Sequence, residues 1–139
     1  MSKLASKVII GLDLAGNKKN PTGWAKIKNR TTTVRQLYGD NEIIRQTIKC
    51  KPDLIAIDAP LTMPKLGSMR KADREMNRLG YRVLPPTFPS MKTLTQRGTK
   101  IAQKLREHKL KVIEVHPTST RKALEMPVKD WRKIQTLLT

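Results

Sequence analysis

Three segments of the chain are rich in aliphatic residues, and each of them carries one acidic residue near its end. They are residues 8–14 (VIIGLDL), 52–60 (PDLIAIDAP) and 110–117 (LKVIEVHP). Nearly unbroken apolar runs between turn-forming residues are typical of strands that are buried on both faces. We therefore predict three core strands, each with a carboxylate in it or directly after it.

Mixed polar and apolar residues fill the stretch after the first core strand. Pro21 and Gly23 indicate a turn, and residues 24–29 and 31–38 (WAKIKN and TTTVRQLY) are typical of two β-strands joined by a short connection. Short connections favour antiparallel neighbours. The first three strands are therefore predicted to form a meander.

Helical spacing of apolar residues appears in the rest of the chain. Helices are predicted over residues 41–50, 69–79 and 91–108, with one or two more after residue 117. Strands that follow helices are expected to lie parallel to a neighbour through right-handed crossovers. The chain, residues 1–139, is predicted to form a single α/β domain with one mixed sheet.

The net charge is the global property of the chain that says most about its partner. Its 139 residues include 29 Lys and Arg against 11 Asp and Glu, a net charge of +18. A positive field of this size favours a polyanionic partner such as DNA or RNA, although a Lys-rich surface also serves solubility alone. The single cysteine excludes an intrachain disulfide and a cysteine-based zinc cluster. With no signal peptide or membrane-spanning run, we expect a cytoplasmic protein that does not bind a membrane, and a homodimer is compatible with the sequence.

The acids of the three core strands are Asp13, Asp58 and Glu114. An ionised carboxylate in a buried strand costs several kcal/mol unless something pairs with it. Because side chains alternate along a strand, the three acids are predicted to share one face while Leu12, Ile57 and Ile113 occupy the other. If the strands are adjacent, the acids converge on a shared cation. Ligands that are all oxygen favour Mg²⁺ or Mn²⁺ over zinc.

Four segments together resemble a poorly characterised family of predicted nucleases with the ribonuclease H-like fold. The segments are VIIGLDLAG, IAIDAPL, MRKADREMNRLG and VIEVHPT. The resemblance implies flanking helices around a five-stranded sheet ordered 3-2-1-4-5, in which the three acid-bearing strands are neighbours. It also implies that Asp13, Asp58 and Glu114 are catalytic and bind metal.

The chain departs from the wider superfamily, whose members supply a last acid from a C-terminal helix. Asp130 is the nearest substitute, and its alternative role is to cap a helix that begins at Trp131. Two further residues have two readings each. Asp73 either orients an arginine at the cleft or forms ion pairs on a helix surface, and His116 either assists phosphate chemistry or is structural.

The function predicted from these features is metal-dependent hydrolysis of phosphodiester bonds in nucleic acid, with metal-activated water as the nucleophile. The alternative is a nucleic-acid-binding protein of the same fold without catalysis. A phosphotransferase of the actin-like class would need two such domains, which 139 residues do not supply. The basic residues predicted to hold the nucleic acid are Lys18, Lys19, Arg70, Arg74, Arg78, Lys92, Arg97, Lys100 and Lys104.

Overall fold

The computed structural model describes residues 7–138 and contains one mixed sheet flanked by helices. The strands are β1 (Val8–Asp13), β2 (Thr22–Lys28), β3 (Thr31–Leu37), β4 (Leu54–Ile57) and β5 (Val112–Glu114). The helices are α1 (Asp40–Lys49), α2 (Lys71–Arg78), α3 (Pro89–Glu107), α4 (Pro117–Ala123) and α5 (Trp131–Leu138). None of these helices is long and apolar enough to span a bilayer.

The sheet has the strand order β3-β2-β1-β4-β5. Strands β1, β2 and β3 form the antiparallel meander, and β4 and β5 are added in parallel with β1. The predicted α/β class and the order 3-2-1-4-5 are confirmed. The three acid-bearing strands β1, β4 and β5 are therefore adjacent.

Alternating side chains give the sheet two different faces. On one face Ile10, Ile55 and Ile57 are fully buried and join a core that includes Ile43 of α1 and Ile101 of α3. The other face, called the open face here, carries small residues at its centre. It is formed in register by Gly11, Ala25 and Ala56, with the exposed side chains Ile27, Val34 and Ile113 around them.

Helix α3 packs closely on the segment that follows β4. A Cβ atom added to Gly98 would lie 3.1 Å from the carbonyl oxygen of Pro60 and 3.2 Å from the Ala59 Cβ. These distances are tighter than nearly all Cβ contacts, so a larger residue would fit only if its neighbours moved by a few tenths of an ångström. Gly98 thus sets how near α3 lies to the strand end that carries Asp58.

Arg97 corrects one prediction about the basic residues. Its side chain on α3 is buried, and its guanidinium donates to the Asp40 carboxylate at 2.7 Å, to the Ala15 carbonyl at 2.6 Å and to the Tyr38 carbonyl. These bonds satisfy carbonyls in the loops after β1 and β3. Arg97 therefore ties loops together and is not available to hold a phosphate backbone.

Candidate active site

Asp13 and Asp58 stand side by side at the ends of β1 and β4. The parallel register pairs Leu12 with Ile57, so the next residue on each strand is one of these acids. The Asp58 amide also donates to the Leu12 carbonyl at 2.9 Å, which locks the two strand ends together. Burial first, and the neighbouring Asp13 carboxylate second, raise the pKa of Asp58 above its ordinary value.

A glycine on β2 makes room beside this acid pair. Gly23 is the register partner of Asp13, and a Cβ atom at position 23 would lie 3.3 Å from the Asp13 Cβ. The Asp13 side chain is exposed as a result of its place at the sheet end. The pair is therefore open to a ligand from the side of the open face.

A cavity of about 810 Å³ lies over the open face and includes both acids in its lining. Small residues form its floor, and Arg121 from α4 lines it. Arg35 of β3 also borders it, but the Arg35 guanidinium lies over the ring of its register partner Trp24, on the other face of the sheet. The cavity volume falls within the range of about 300–1,000 Å³ that small-molecule and cofactor sites occupy. Two carboxylates and the Arg121 guanidinium thus share one cleft.

Arg121 is a site residue that the sequence analysis missed. Within residues 7–138 its Nε atom is buried without a hydrogen-bond partner, while its Nη2 atom donates to Thr118 Oγ1 at 3.3 Å. Its charge also lowers the pKa of Asp58, against the larger effects of burial and Asp13. A buried guanidinium donor without a partner is costly unless a ligand satisfies it. Arg121 lies in the last turn of α4, and nothing near it in the sequence indicates these surroundings.

His116 lies at the start of α4 and faces the same region. Its Nδ1 atom is hydrogen-bonded to Ser119 Oγ, which fixes the orientation of the ring. Its charge is near enough to Asp58 to lower the pKa of that carboxyl. Both Asp58 and His116 border a second cavity of about 520 Å³ on the other side of the strand end.

Glu114 does not join the acid pair, which corrects the predicted convergence of three carboxylates. The parallel register places Glu114 opposite Ile57, one residue short of Asp58. The prediction assumed that the three acids lie on one face of the sheet. In the observed register, Glu114 aligns with Ile57 on the buried face, and Ile113 aligns with Ala56 on the open face. A shift of one residue between neighbouring strands is enough to separate the carboxylates.

Arg70 holds Glu114 in a separate ion network. Its guanidinium binds both oxygens of Glu114 at 2.8 Å and both oxygens of Asp73 at 2.7 Å. The Glu114 carboxylate also accepts the Leu61 amide at 3.0 Å. The hydrogen bonds to Asp73 and then to Glu114 raise the pKa of Arg70, so the guanidinium stays charged. Asp73 is therefore the buried partner of an arginine at the cleft and not a surface ion-pair residue.

A family model links the chain to known proteins, because it matches residues 11–133, a range that includes Asp13, Asp58, Glu114 and Arg121. The chain belongs to the DUF429 family. This family is described as proteins of unknown function. A search of curated proteins found no match to the chain.

Two carboxylates of this DUF429 protein suit a hard cation, and a third does not. No protein donor within residues 7–138 bonds the side chains of Asp13 or Asp58, so their oxygens are available. Both Glu114 oxygens are taken by Arg70. Within the same residues, no group of three or more Asp, Glu, His or Cys side chains is arranged to hold a metal ion. Mg²⁺ often binds through one or two carboxylates together with substrate phosphates, and the acid pair fits that pattern.

Asp130 acts as a helix cap in the DUF429 protein. Its Oδ1 atom accepts the Lys133 amide at 3.2 Å, three residues into α5. This contact is the pattern of an N-cap residue, which satisfies a free amide of the first turn. The capping alternative therefore accounts for Asp130 without a metal ion.

The remaining basic residues that were predicted to bind nucleic acid differ in their surroundings. Lys18, Lys19, Lys92, Lys100 and Lys104 are exposed, and Lys18 and Lys100 border one shallow cavity. Arg74 donates to the Met69 carbonyl at 3.1 Å, and Arg78 pairs with Glu75. Arg70 and Arg97 are engaged by protein groups. The lysines are thus the groups that are available to an anionic partner.

Asp58→Asn is expected to stabilise the free protein at neutral pH. Folding raises the pKa of Asp58, so the ionised form opposes folding, and this penalty grows as pH rises above the ordinary value of 3.8. The melting temperature of the variant should exceed that of the parent at pH 7, and the two should meet near pH 3. Thermal melts over this pH range check the difference. A difference that stays constant with pH would contradict the raised pKa of Asp58.

Proposed function

We propose that this DUF429 protein is a metal-dependent nuclease with a ribonuclease H-like fold. The observation that carries the proposal is the Asp13–Asp58 pair on adjacent parallel strands, open to a cleft and beside the unpartnered Nε atom of Arg121. Carboxylates that repel each other favour a cation, and a free guanidinium donor favours an anion. A phosphodiester bound with a divalent metal ion satisfies both.

The strand order supports the fold assignment. A five-stranded sheet ordered 3-2-1-4-5, with an antiparallel meander followed by two parallel strands, has the topology that the resemblance to ribonuclease H-like proteins implies. Acids at the ends of the central strands then fall at the carboxyl edge of the sheet. Ligands of open α/β sheets bind at that edge.

The residues of the cleft have separate roles in this proposal. Asp13 and Asp58 would hold Mg²⁺ or Mn²⁺, which when bound supplies Lewis-acid stabilisation of the phosphate and an activated water. Arg121 donates to the phosphate and offsets its charge. The His116 ring, fixed through Nδ1 by Ser119, leaves Nε2 to exchange a proton near the acid pair.

Glu114 and Asp73 act through Arg70 in this scheme. Their four carboxylate oxygens hold the guanidinium rigidly, and the Leu61 amide fixes Glu114 to the segment after Asp58. These residues are positioning residues, because they shape the strand ends without touching the cleft that holds Arg121. The predicted third ligand is therefore replaced by a structural acid.

The net charge of +18 supports a nucleic acid as the substrate. Lys18 and Lys19 lie in the loop directly after β1, so positive charge follows the strand that ends at Asp13. Contacts of this type hold phosphates without regard to sequence and weaken as salt rises. We expect binding of both DNA and RNA backbones to fall steeply with ionic strength.

Binding without catalysis is the second candidate, and the engagement of Glu114 favours it. A site with two carboxylates has one ligand fewer than the resemblance implies. A binder of the same fold would keep the basic surface and would gain no stability from Mg²⁺ or Mn²⁺. Thermal stability measured with and without each ion therefore separates the two candidates.

The direct test is cleavage of end-labelled single-stranded and duplex DNA and RNA, with Mn²⁺, with Mg²⁺ and with EDTA. We expect shortened products with either ion and intact substrate in EDTA. Substrates that remain intact under all conditions, while the protein still binds them, would overturn the nuclease proposal in favour of the binding protein.

A further inference from the structure

The second cavity meets the active site at two residues, Asp58 and Val115, and His116 of the proposed chemistry also lines it. Its volume is about 520 Å³, and Asp58 lines both this cavity and the larger one over the open face. It lies between the end of the sheet and the segment that holds α2 and the loop before α3. A ligand that crosses Asp58 could therefore occupy both cavities at once.

The walls of the second cavity are apolar. Pro60, Met76, Val83, Leu84, Met91 and Leu94 line it. Methionine side chains are flexible and polarisable, so they fit flat rings of different outline. Leu84 is exposed over about half of its surface, 51%. An exposed apolar wall of this kind suits a planar group that is hidden from water once it is bound.

The polar end of the cavity leaves few hydrogen-bonding groups free to bind a ligand. Arg70, Asp73 and Glu114 bond one another, so their hydrogen-bonding capacity is largely used within the protein. His116 keeps its Nε2 atom free of protein partners within residues 7–138, because Nδ1 binds Ser119. A ligand therefore meets one imidazole nitrogen beside the Asp58 carboxylate.

Positive charge surrounds the lining residues in the sequence. Lys71 precedes Ala72, Arg82 precedes Val83 and Lys92 follows Met91, and all three bases are exposed. An apolar cavity with basic neighbours is complementary to a ring that is attached to phosphates. An apolar metabolite without charge would make no use of these bases.

We propose that the second cavity binds one unpaired base of a nucleic-acid strand whose backbone passes over Asp13 and Asp58. This inference rests on the proposed function and names its substrate class as single-stranded nucleic acid. A base reaches the cavity only when it is unstacked, so a base that is paired in a duplex must first be extruded at a cost of a few kcal/mol. Van der Waals contact with aliphatic and methionine side chains does not read the edges of a base, so we expect little sequence preference.

The test fills the cavity with Ala72→Phe and uses Ala123→Phe as the matched control. Both alanines are exposed on short helices, but only Ala72 lines the second cavity. The probe is a fluorescent 12-nucleotide oligo-dT or oligo-U, compared with its duplex, in anisotropy titrations on an Asp13→Asn background. We expect the single strand to bind more tightly than the duplex, and Ala72→Phe to weaken single-strand binding about tenfold. Ala123→Phe should leave it unchanged.

Leu84→Ala is a second variant that removes part of the wall from a half-exposed position, so it keeps the test valid if Ala72→Phe unfolds. It should weaken single-strand binding as well. Equal affinity for single strand and duplex, or affinity unchanged by both variants, would overturn the base-binding cavity. Cleavage assays distinguish failure of the base-binding cavity from failure of the proposed nuclease function. Metal-dependent cleavage without strand preference overturns the cavity alone, and cavity-dependent binding without cleavage overturns the nuclease alone.

Discussion

Asp13→Asn is expected to lower metal-dependent cleavage roughly a thousandfold while the protein stays folded. Metal ions stabilise phosphoryl transition states by several kcal/mol, and each 1.36 kcal/mol corresponds to about a factor of ten in rate. Asn keeps the size of the side chain but loses the charge that holds the cation. Because Asp13 is exposed at the end of β1, its replacement removes no buried contact. Initial rates of cleavage in saturating Mn²⁺ measure the effect.

Asp130→Asn is the matched control for the loss of a carboxylate. Asn caps helices about as well as Asp, so the bond to the Lys133 amide is preserved. We expect cleavage within about twofold of the parent, since the capping contact accounts for this residue. A variant at position 13 that cleaves as fast as the parent would contradict the assignment of the acid pair. A large loss at position 130 would instead restore Asp130 as a metal ligand.

Arg70→Gln is expected to destabilise the fold by about 3 kcal/mol, because breaking a buried ion pair leaves its partner uncompensated. The partner most affected is Asp73, whose side chain is 5% exposed, against 14% for Arg70. Glu114 loses its partner too, and with it the contact that joins β5 to α2. Urea denaturation checks the prediction, as a lower midpoint with an unchanged m-value.

Helix α2 also contains an exposed ion pair that serves as a control for the buried Arg70 pair. Arg78 and Glu75 also form a pair three residues apart at 2.7 Å, but their side chains are 70% and 49% exposed. Exposed pairs contribute about 0–1 kcal/mol, so Arg78→Gln should change the unfolding free energy by less than about 1 kcal/mol. Equal losses for the two variants would show that burial of the Arg70 network is not what stabilises it.

The strands were predictable because their signals are local, whereas their order 3-2-1-4-5 was expected from the resemblance to ribonuclease H-like proteins. Unbroken aliphatic runs identified β1, β4 and β5, and short turns identified the meander. Helix α3 begins at Pro89, two residues before its predicted start, since proline is favoured in the first turn of a helix. Strands that follow helices were expected to lie parallel to a neighbour, and β4 lies parallel to β1 and β5 parallel to β4.

The candidate site was predictable only in part, because the position of a charged residue along a strand does not reveal which side chains will surround it in the fold. Asp13 and Asp58 were correctly expected to be neighbours, since each ends a strand and the strands are parallel. Glu114 lies inside β5, so its register decided its surroundings. Arg97 was predicted to hold nucleic acid, but its guanidinium instead bonds carbonyls from two distant loops. Arg121 lacked any local signal of its buried Nε atom.

The sequence by itself determined the class of the fold, the strands that carry acids and the large positive charge of this DUF429 protein. These properties depend on hydrophobic periodicity and on composition, which are read along the chain. Only the tertiary structure decided which acid is free, which is bound by Arg70, and which arginines line the cleft. The physical reason is that a one-residue register difference between β4 and β5, and contacts more than 40 residues apart in sequence such as Arg70 with Glu114, set the surroundings of each charge.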